Sequence, residues 1–363
     1  MSTPCDFWVR RDDYSQTRFV EPAADAHALD DGQALLRIDH FALTANNVTY
    51  AAAGDMLNYW SFFPADEGWG RIPVWGFADV VASRCPDLAE GGRYYGYYPM
   101  STHLRVAPVR VSETGFFDGS EHRQAMAATY NQYRDVAADP GYRADGEAAQ
   151  MLLHPLFTTG FLIDDALGDA AFHGAEAVVI SSASSKTGFA LAFQLAQRGS
   201  VRVIGLTSPG NRSFTEGLGC YDQVCTYPEI SSLDASVPTA YVDMAGNGSI
   251  TGEVHRHFGA QLRHSLVVGM THWKEGQRPE GMPGPEPEFF FAPTQVQKRH
   301  QDWGAAGLQE RVGKAFLAFQ GLSDRALQVV RGGRGDLDRV YHELLEGRTA
   351  PDVGHVLGLH EGE

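Results

Sequence analysis

The stretch AVVISSASSKTGFALAFQLA, residues 177–196, decides how the chain is read. Residues 177–180 are four apolar side chains in a row, as in a strand buried on both faces of a parallel sheet. Small residues follow, and TGFALAFQLAQRG (187–199) has the spacing of an amphipathic helix stopped by Gly199. A strand that passes through a small-residue loop into a helix offers backbone N–H groups and a helix N-terminus to a pyrophosphate. The G-x-G-x-x-G pattern is absent: serines and Ala183 stand in its place, and Gly188 alone keeps the close-packing role. A P-loop is not read, because Lys186-Thr187 fits its end but Ile180 and Ser185 hold its glycine positions. The same residues also fit an empty helix start capped by Ser184 or Ser185. Only four lysines stand beside twenty-five arginines, so Lys186 in this loop favours a phosphate role.

Downstream, VRVIGL (201–206) is the next strand and residues 211–217 a short helix. Strands follow at 223–226, 239–243 and 265–269, with a helix at 252–258, and EFFFA (288–292) is the sixth strand. Six short strands alternating with helices predict a doubly wound α/β sheet. An NAD site places an acid near the end of the second strand to receive the ribose hydroxyls. Here the sequence is VIGLTSPGNRSF (203–214), with no acid after Leu206. Thr207, Ser208 and Asn211 are neutral hydrogen-bonding groups and Arg212 is a cation, a set that suits a 2′-phosphate and hence NADP(H). One charge-assisted bond of roughly 1.5–3 kcal/mol favours NADP by about tenfold or more. The other reading is an exposed turn at Pro209-Gly210 with a solvated arginine.

Upstream, QALLRIDHFAL (33–43), IPVWGFADVVASR (72–84) and residues 93–106, broken at Pro99, read as strands of a β-rich domain. Residues 147–167 are helical. A Pro/Gly-rich segment, RPEGMPGPEPE (278–288), reads as a surface loop, and residues 305–320 and 335–346 as helices. With 363 residues the chain exceeds one ordinary domain of roughly 100–200. The expected division is 1–145 plus 294–363 as one domain and 146–293 as the other. Composition, 43% hydrophobic and 20% charged, is that of a folded soluble chain. The net charge of −16 disfavours a general grip on nucleic acid or an anionic membrane. No run approaches the roughly 20 apolar residues of a membrane span, and no signal segment is read. Four scattered cysteines (Cys5, Cys85, Cys220, Cys225) give neither a disulfide framework nor a four-thiolate zinc site, and point to a reducing cytoplasm.

In this order the parts resemble the zinc-independent, quinone-oxidoreductase-like branch of the medium-chain dehydrogenase/reductase superfamily. LRIDHFALTANNVTYAAAG (36–54) is similar to its early strand and the asparagine-containing loop after it. IPVWGFADVV (72–81) stands in the place of its P-G-x-E-x-x-G-x-V segment. HPLFTTGFLIDDAL (154–167) resembles the helix with the glycine-leucine-threonine-alanine motif, with Thr159 or Thr158 as the threonine. CYDQVCTYPEI (220–230) puts Tyr227 where a tyrosine helps to hold the adenosine phosphate. YVDMAGN (241–247), with Gly246, resembles the aspartate-x-x-glycine segment beside the nicotinamide ribose, and VVGMTHW (267–273), with Gly269 and Met270, the next strand and glycine turn. The resemblance implies a central Rossmann dinucleotide-binding domain and a β-rich (GroES-like) catalytic domain built from both ends of the chain. It further implies a cleft between the domains, where a small-molecule substrate is expected beside the NADP(H), and often a homodimer. The serine-rich 181–187 loop and the added stretch ATYNQYRDVAADPGY (128–142) depart from the pattern.

Other chemistries find no support. The zinc-binding relatives' cysteine and histidine ligands and four-cysteine lobe are missing. HELLE (342–346) lacks the second histidine of H-E-x-x-H, and His255 and His257 lie on different helix faces. The histidines therefore read as surface residues or core hydrogen-bonders. There is no G-x-S-x-G elbow and no Tyr-x-x-x-Lys pair. What is left is hydride transfer, in which the cofactor reacts and the protein orients and polarises. The strip TANNVTYAAAGDMLNYW (44–60) lies where the resemblance puts the substrate. Asn47 and Tyr50 are its candidate hydrogen-bond donors to a carbonyl, Tyr59 or Trp60 a candidate wall, and Asn131 and Tyr133 second candidates. A plain turn at Asn46-Asn47 with core aromatics is the competing reading. The expected activity is reduction of a small or medium apolar carbonyl or enone-like substrate. A non-catalytic nucleotide sensor on the same fold is the alternative.

Overall fold

A computed structural model describes residues 4–23, 28–139, 142–268 and 282–360. The chain forms two compact units. The first comprises Met1–Leu152, Gln328–Thr349 and Val353–Glu363, the second Leu153–Leu327 and Ala350–Asp352.

Tail strands complete the N-terminal sheet in the first unit. Val353–Leu357 pairs antiparallel with Ala34–Leu43 and parallel with Gln328–Gly332. The sheet continues through Pro73–Ser83 and Arg93–Pro99 to Gln132–Asp135, Gly115–Asp118 and Pro108–Ser112. A separate three-stranded sheet has Asp6–Arg10 between Thr17–Val20 and Trp69–Gly70. Gly96 divides two tyrosine pairs in RYYGYYP because a side chain there would collide with the Tyr133 ring, 2.4 Å from an added Cβ. Residues 132–135 of the added stretch are thus seated on the sheet, and fully buried Arg123 fixes them. That guanidinium donates to Asp118 (3.0 Å), the Asn131 amide oxygen (3.0 Å) and the Tyr133 hydroxyl (2.7 Å). A charge so deep needs every one of those partners.

The second unit is built on six strands, Ala177–Ile180, Arg202–Thr207, Gln223–Thr226, Thr239–Asp243, Leu262–Val267 and Glu288–Phe289, all paired in parallel. Numbered in chain order they lie 3-2-1-4-5-6, the dinucleotide-fold order, with its switch point between the first and fourth. Ala177, Val179, Ile204, Leu206, Tyr241 and Val254 form the core on one face. Helices Lys186–Arg198 and Gly248–Phe258 alternate with the strands as the sequence predicts.

Two expectations are corrected here. EFFFA was expected to be a five-residue strand, yet only Glu288–Phe289 pairs; helix Ala292–Ala326 follows, with Pro293 in its first turn. That helix runs 35 residues with a break at Gly304 (φ +72°). It belongs to the second unit, so the chain returns to the first after Leu327, not at 294. Packing explains this. Phe316 and Phe319 join Phe157, Phe189 and Phe193 in one aromatic cluster, and Arg299 pairs with Asp165 (2.6 Å), Asp169 and Asp302 (2.7 Å). No described helix is long and apolar enough to cross a membrane.

Candidate functional site

The C-terminal ends of the first four parallel strands carry Ser184, Ser185, Lys186, Thr187, Thr207, Ser208, Asn211, Arg212, Tyr227 and Gly246. Ser182 adopts φ +47°, the left-handed conformation in which glycine is at ease. The loop therefore keeps a glycine-like backbone without a glycine, at roughly 1–2 kcal/mol of strain. Two bonds hold it there. The Ser182 amide donates to the Tyr227 hydroxyl (3.1 Å), and its carbonyl accepts from the Ser185 amide (2.8 Å). Gly188 is required, since a Cβ would stand 2.9 Å from that same carbonyl.

Ser185 caps the helix by accepting from the Gly188 amide (3.1 Å). The amides of Ser184 and Thr187 have no partner among the described residues, as the first turn of a helix leaves them. Ser184 receives the Asn211 amide (3.1 Å), which ties the loop to the end of the second strand. Tyr221, not foreseen, donates to the Ala183 carbonyl (2.7 Å). Lys186 donates to the Pro351 carbonyl (3.4 Å), and burial pulls its ammonium down to about 8 against the opposing charge of Asp352.

Buried Asp243 organises the fourth strand's end. Its carboxylate accepts from the Ser181 and Thr251 hydroxyls (2.7 and 2.9 Å) and from the Ala245 and Gly246 amides (3.0 and 3.1 Å). Gly246 turns with φ +70°.

Three cofactor candidates are enclosed or engaged by the protein itself. Thr207 is 1% exposed, and its enclosed hydroxyl has no partner among the described residues. Thr159 donates its hydroxyl to the Pro155 carbonyl (3.1 Å) and Thr158 its own to His154 (2.8 Å), which leaves each only an acceptor. Arg212 is already paired with Glu229, at 2.7 and 3.2 Å. Ser208 remains half-buried beside it. Gly269 and Met270 lie outside the described residues.

In the first unit the strip 44–60 is not a loop: Ala45–Ala52 is a helix. Asn47 closes its capping box, accepting from the Thr44 amide and hydroxyl (2.8 and 3.3 Å) and donating to the Pro73 carbonyl (2.8 Å). It is a scaffold residue, and its expected role as carbonyl donor is withdrawn. Trp60 is likewise core, wedged against Gly54 and Gly70, and Asn131 and Tyr133 serve Arg123.

Tyr50 and Tyr59 do sit together, ring centroids 4.8 Å apart, in a cluster with Tyr97 and Tyr130. Trp75 packs on Tyr95, Tyr97 and Tyr130. The Tyr59 and Tyr130 hydroxyls are 3.2 Å apart. Burial pushes all these phenols up, so each is a protonated donor at neutral pH. Tyr130 was missed by the sequence reading although it lies in the quoted aromatic stretch; its phenol meets Tyr59 only through the fold. A groove of about 830 Å³ in this unit, lined by Asp6, Trp8, Arg71, His103 and His122 among others, takes none of the predicted residues.

A second unforeseen cluster joins Asp39, His40 and Glu147, whose ligating atoms lie within 4.8 Å of one another. Arg93 is the cation there, bidentate on Glu147 (2.7 and 2.8 Å) and bonded to Asp39 (2.6 Å) and Asp79 (3.0 Å). His40 bridges the Asp39 and Glu147 carboxylates at 2.8 Å each. Burial lowers His40, but those carboxylates outweigh it and raise the imidazole; Glu147, opposed by burial, is held down to about 2 by Arg93, His40 and Tyr142. His255 and His342 make ordinary hydrogen bonds to Pro283, Ser265, Asp338 and Ser15.

The strand order and the two-unit division define the class: this is the fold of the medium-chain dehydrogenase/reductase superfamily. Solved structures agree. CurA from Vibrio vulnificus, solved in complex with NADPH, is 14% identical over 95% of this chain and 94% of its own, TM-score 0.61. The yhdH oxidoreductase from Salmonella enterica, solved in complex with NADP, is 12% identical over 98% and 99%, TM-score 0.55. The quinone oxidoreductase from Coxiella burnetii is 13% identical over 98% of each chain, TM-score 0.51. No curated protein matches the sequence. The family model described as "Protein of unknown function (DUF2855)" matches residues 41–350, and the chain belongs to that family.

Proposed function

We propose that the protein is an NADP(H)-dependent oxidoreductase that reduces a small or medium apolar carbonyl or enone-like substrate without zinc. The carrying observation is the loop at the switch point, where Ser182 holds a glycine-like backbone and the Ser184 and Thr187 amides have no partner among the described residues. The cradle suits a pyrophosphate because amides at a helix start point toward an anion, and Gly188 lets the Ser182 carbonyl pack against that start. Ser184, Ser185, Lys186 and Thr187 would hold that group, with Asn211, Arg212 and Ser208 at the adenosine end. Tyr227 supports the loop through the Ser182 amide, and Gly246 belongs to the nicotinamide side of the sheet. A bound reduced nicotinamide supplies hydride.

Tyr59 and Tyr130 are the pair we assign to the substrate oxygen: one hydroxyl donates to the other, which keeps its own proton for the substrate, and burial keeps both protonated. Tyr50 would line the same aromatic wall. Arg93 occupying the Asp39–His40–Glu147 cluster supports chemistry without a metal there. Four buried, unpaired thiols suit a cytoplasmic setting, and a homodimer is the expected assembly.

Thermal unfolding with NADPH, NADH or neither tests the reading. A nucleotide at about 100 times its dissociation constant adds roughly 2.7 kcal/mol and raises the midpoint clearly. No shift with either at millimolar levels would refute it. The engagement of Asn47 in a capping box favours one second reading, a nucleotide sensor without catalysis; it predicts binding but no substrate-dependent loss of NADPH absorbance across enones and aldehydes.

A further inference from the structure

We infer that Glu229 sets how strongly this chain prefers a 2′-phosphorylated nucleotide, by competing with the phosphate for Arg212. The inference rests on the nucleotide-binding reading above. Arg212 opens the short helix Arg212–Gly217 after the second parallel strand, and Glu229 lies just past the third. The two make a bidentate pair, Nη2 to Oε2 at 2.7 Å and Nη1 to Oε1 at 3.2 Å. Nη2 also reaches the Val224 carbonyl (3.3 Å), and Nε faces Glu216 at 3.5 Å.

Arg212, the cation that the second strand's end offers to a phosphate, is therefore already satisfied by a carboxylate of the same charge sign as the ligand. The pair is open, its side chains 38% and 41% exposed. Pairs this exposed hold weakly, so a phosphate dianion with its stronger bidentate geometry can take Arg212 over. The exchange leaves Glu229 unpaired beside the new anion. An unphosphorylated ribose is neutral and meets neither penalty. Glu229 thus weakens NADP(H) binding and leaves NAD(H) binding nearly untouched.

Glu229 also closes a capping box, its Oε2 accepting from the Thr226 amide (2.9 Å). Glutamine fills that role as well, so Glu229→Gln removes charge while keeping the local fold. Calorimetric titration of the full chain with NADPH and with NADH is the test. Glu229→Gln is expected to bind NADPH roughly tenfold tighter and NADH within about twofold of the parent. Arg212→Ala should lose most of the NADPH preference, and adding Glu229→Gln to it should then gain less than about threefold. Glu216→Gln, which leaves the capping box intact, should shift NADPH binding in the same direction by less. An unchanged NADPH-to-NADH ratio in Glu229→Gln, with both nucleotides bound, overturns the inference alone. A parent chain that binds neither overturns the nucleotide reading and the inference with it.

Discussion

Each unit holds an arginine among carboxylates, and the two arrangements do opposite work. Arg93 in the first unit binds Glu147, Asp39 and Asp79 at once, and His40 bridges two of the same acids. The Glu147 side chain is only 7% exposed. Strands Ala34–Leu43, Pro73–Ser83 and Arg93–Pro99 and the start of helix Glu147–Asp169 are thereby stitched into one polar knot. Arg212 in the second unit has a half-open pair with Glu229, in a loop region that water reaches. Burial makes the first network hard to give up, because a lone charge left inside has no solvent to turn to. Exposure makes the second exchangeable. The same side-chain chemistry is scaffold in one place and a ligand-selecting element in the other.

Breaking the buried knot should have the largest effect. Glu147→Ala is expected to lose on the order of 3 kcal/mol in urea unfolding, against less than about 1 kcal/mol for Arg212→Ala. Equal losses would erase the distinction. Acid sharpens it. Glu147 is held down to about 2, below its unfolded value, so its contribution is complete above roughly pH 4.3 and is lost as pH falls toward 2. His40 is raised, so its contribution is present below its unfolded value and is lost as pH rises through the folded one. Unfolding midpoints in Glu147→Gln should depend less steeply on acid than those of the parent.

On the exchangeable side the readout moves from stability to binding. Arg212→Ala should weaken NADPH by about tenfold or more and NADH by less than about twofold in calorimetry. A smaller effect comes from Lys186, which burial lowers to about 8. It is charged below that pH and neutral above it, so NADPH affinity should fall a few-fold between roughly pH 7 and 9. Lys186→Met should bind more weakly at pH 7 and show a flat profile. A parent profile already flat would mean that the ammonium serves Pro351 rather than the nucleotide.

The Rossmann core was legible because its signals are local. Four apolar residues at 177–180, a helix ended by Gly199 and a repeat of short strands need no distant partner to be read. Candidate residues fared unevenly for the opposite reason. Ser184 and Asn211 were singled out separately, and only packing brings them to 3.1 Å. Asn47 carried the right chemistry for an oxyanion donor, yet it is buried, with Thr44 three residues earlier bonded to its amide oxygen and Pro73 twenty-six later to its amide nitrogen. Tyr130 met Tyr59 across seventy-one positions, a distance over which no periodicity speaks. The long helix Ala292–Ala326 defeated the domain boundary because polar texture resembles a return to the first unit, while Arg299 and Phe319 fasten it to the second.

By itself the sequence determined the alternating strands and helices at 177–267, the parallel sheet and the absence of an acid after the second strand, since backbone propensity and apolar period act over a few residues. Tertiary structure alone decided which polar groups stay available. A hydroxyl, amide or guanidinium is free for a ligand only if no neighbour in space has claimed it, and those neighbours, Glu229 for Arg212 and Pro73 for Asn47, are set by the packing of elements far apart in the chain.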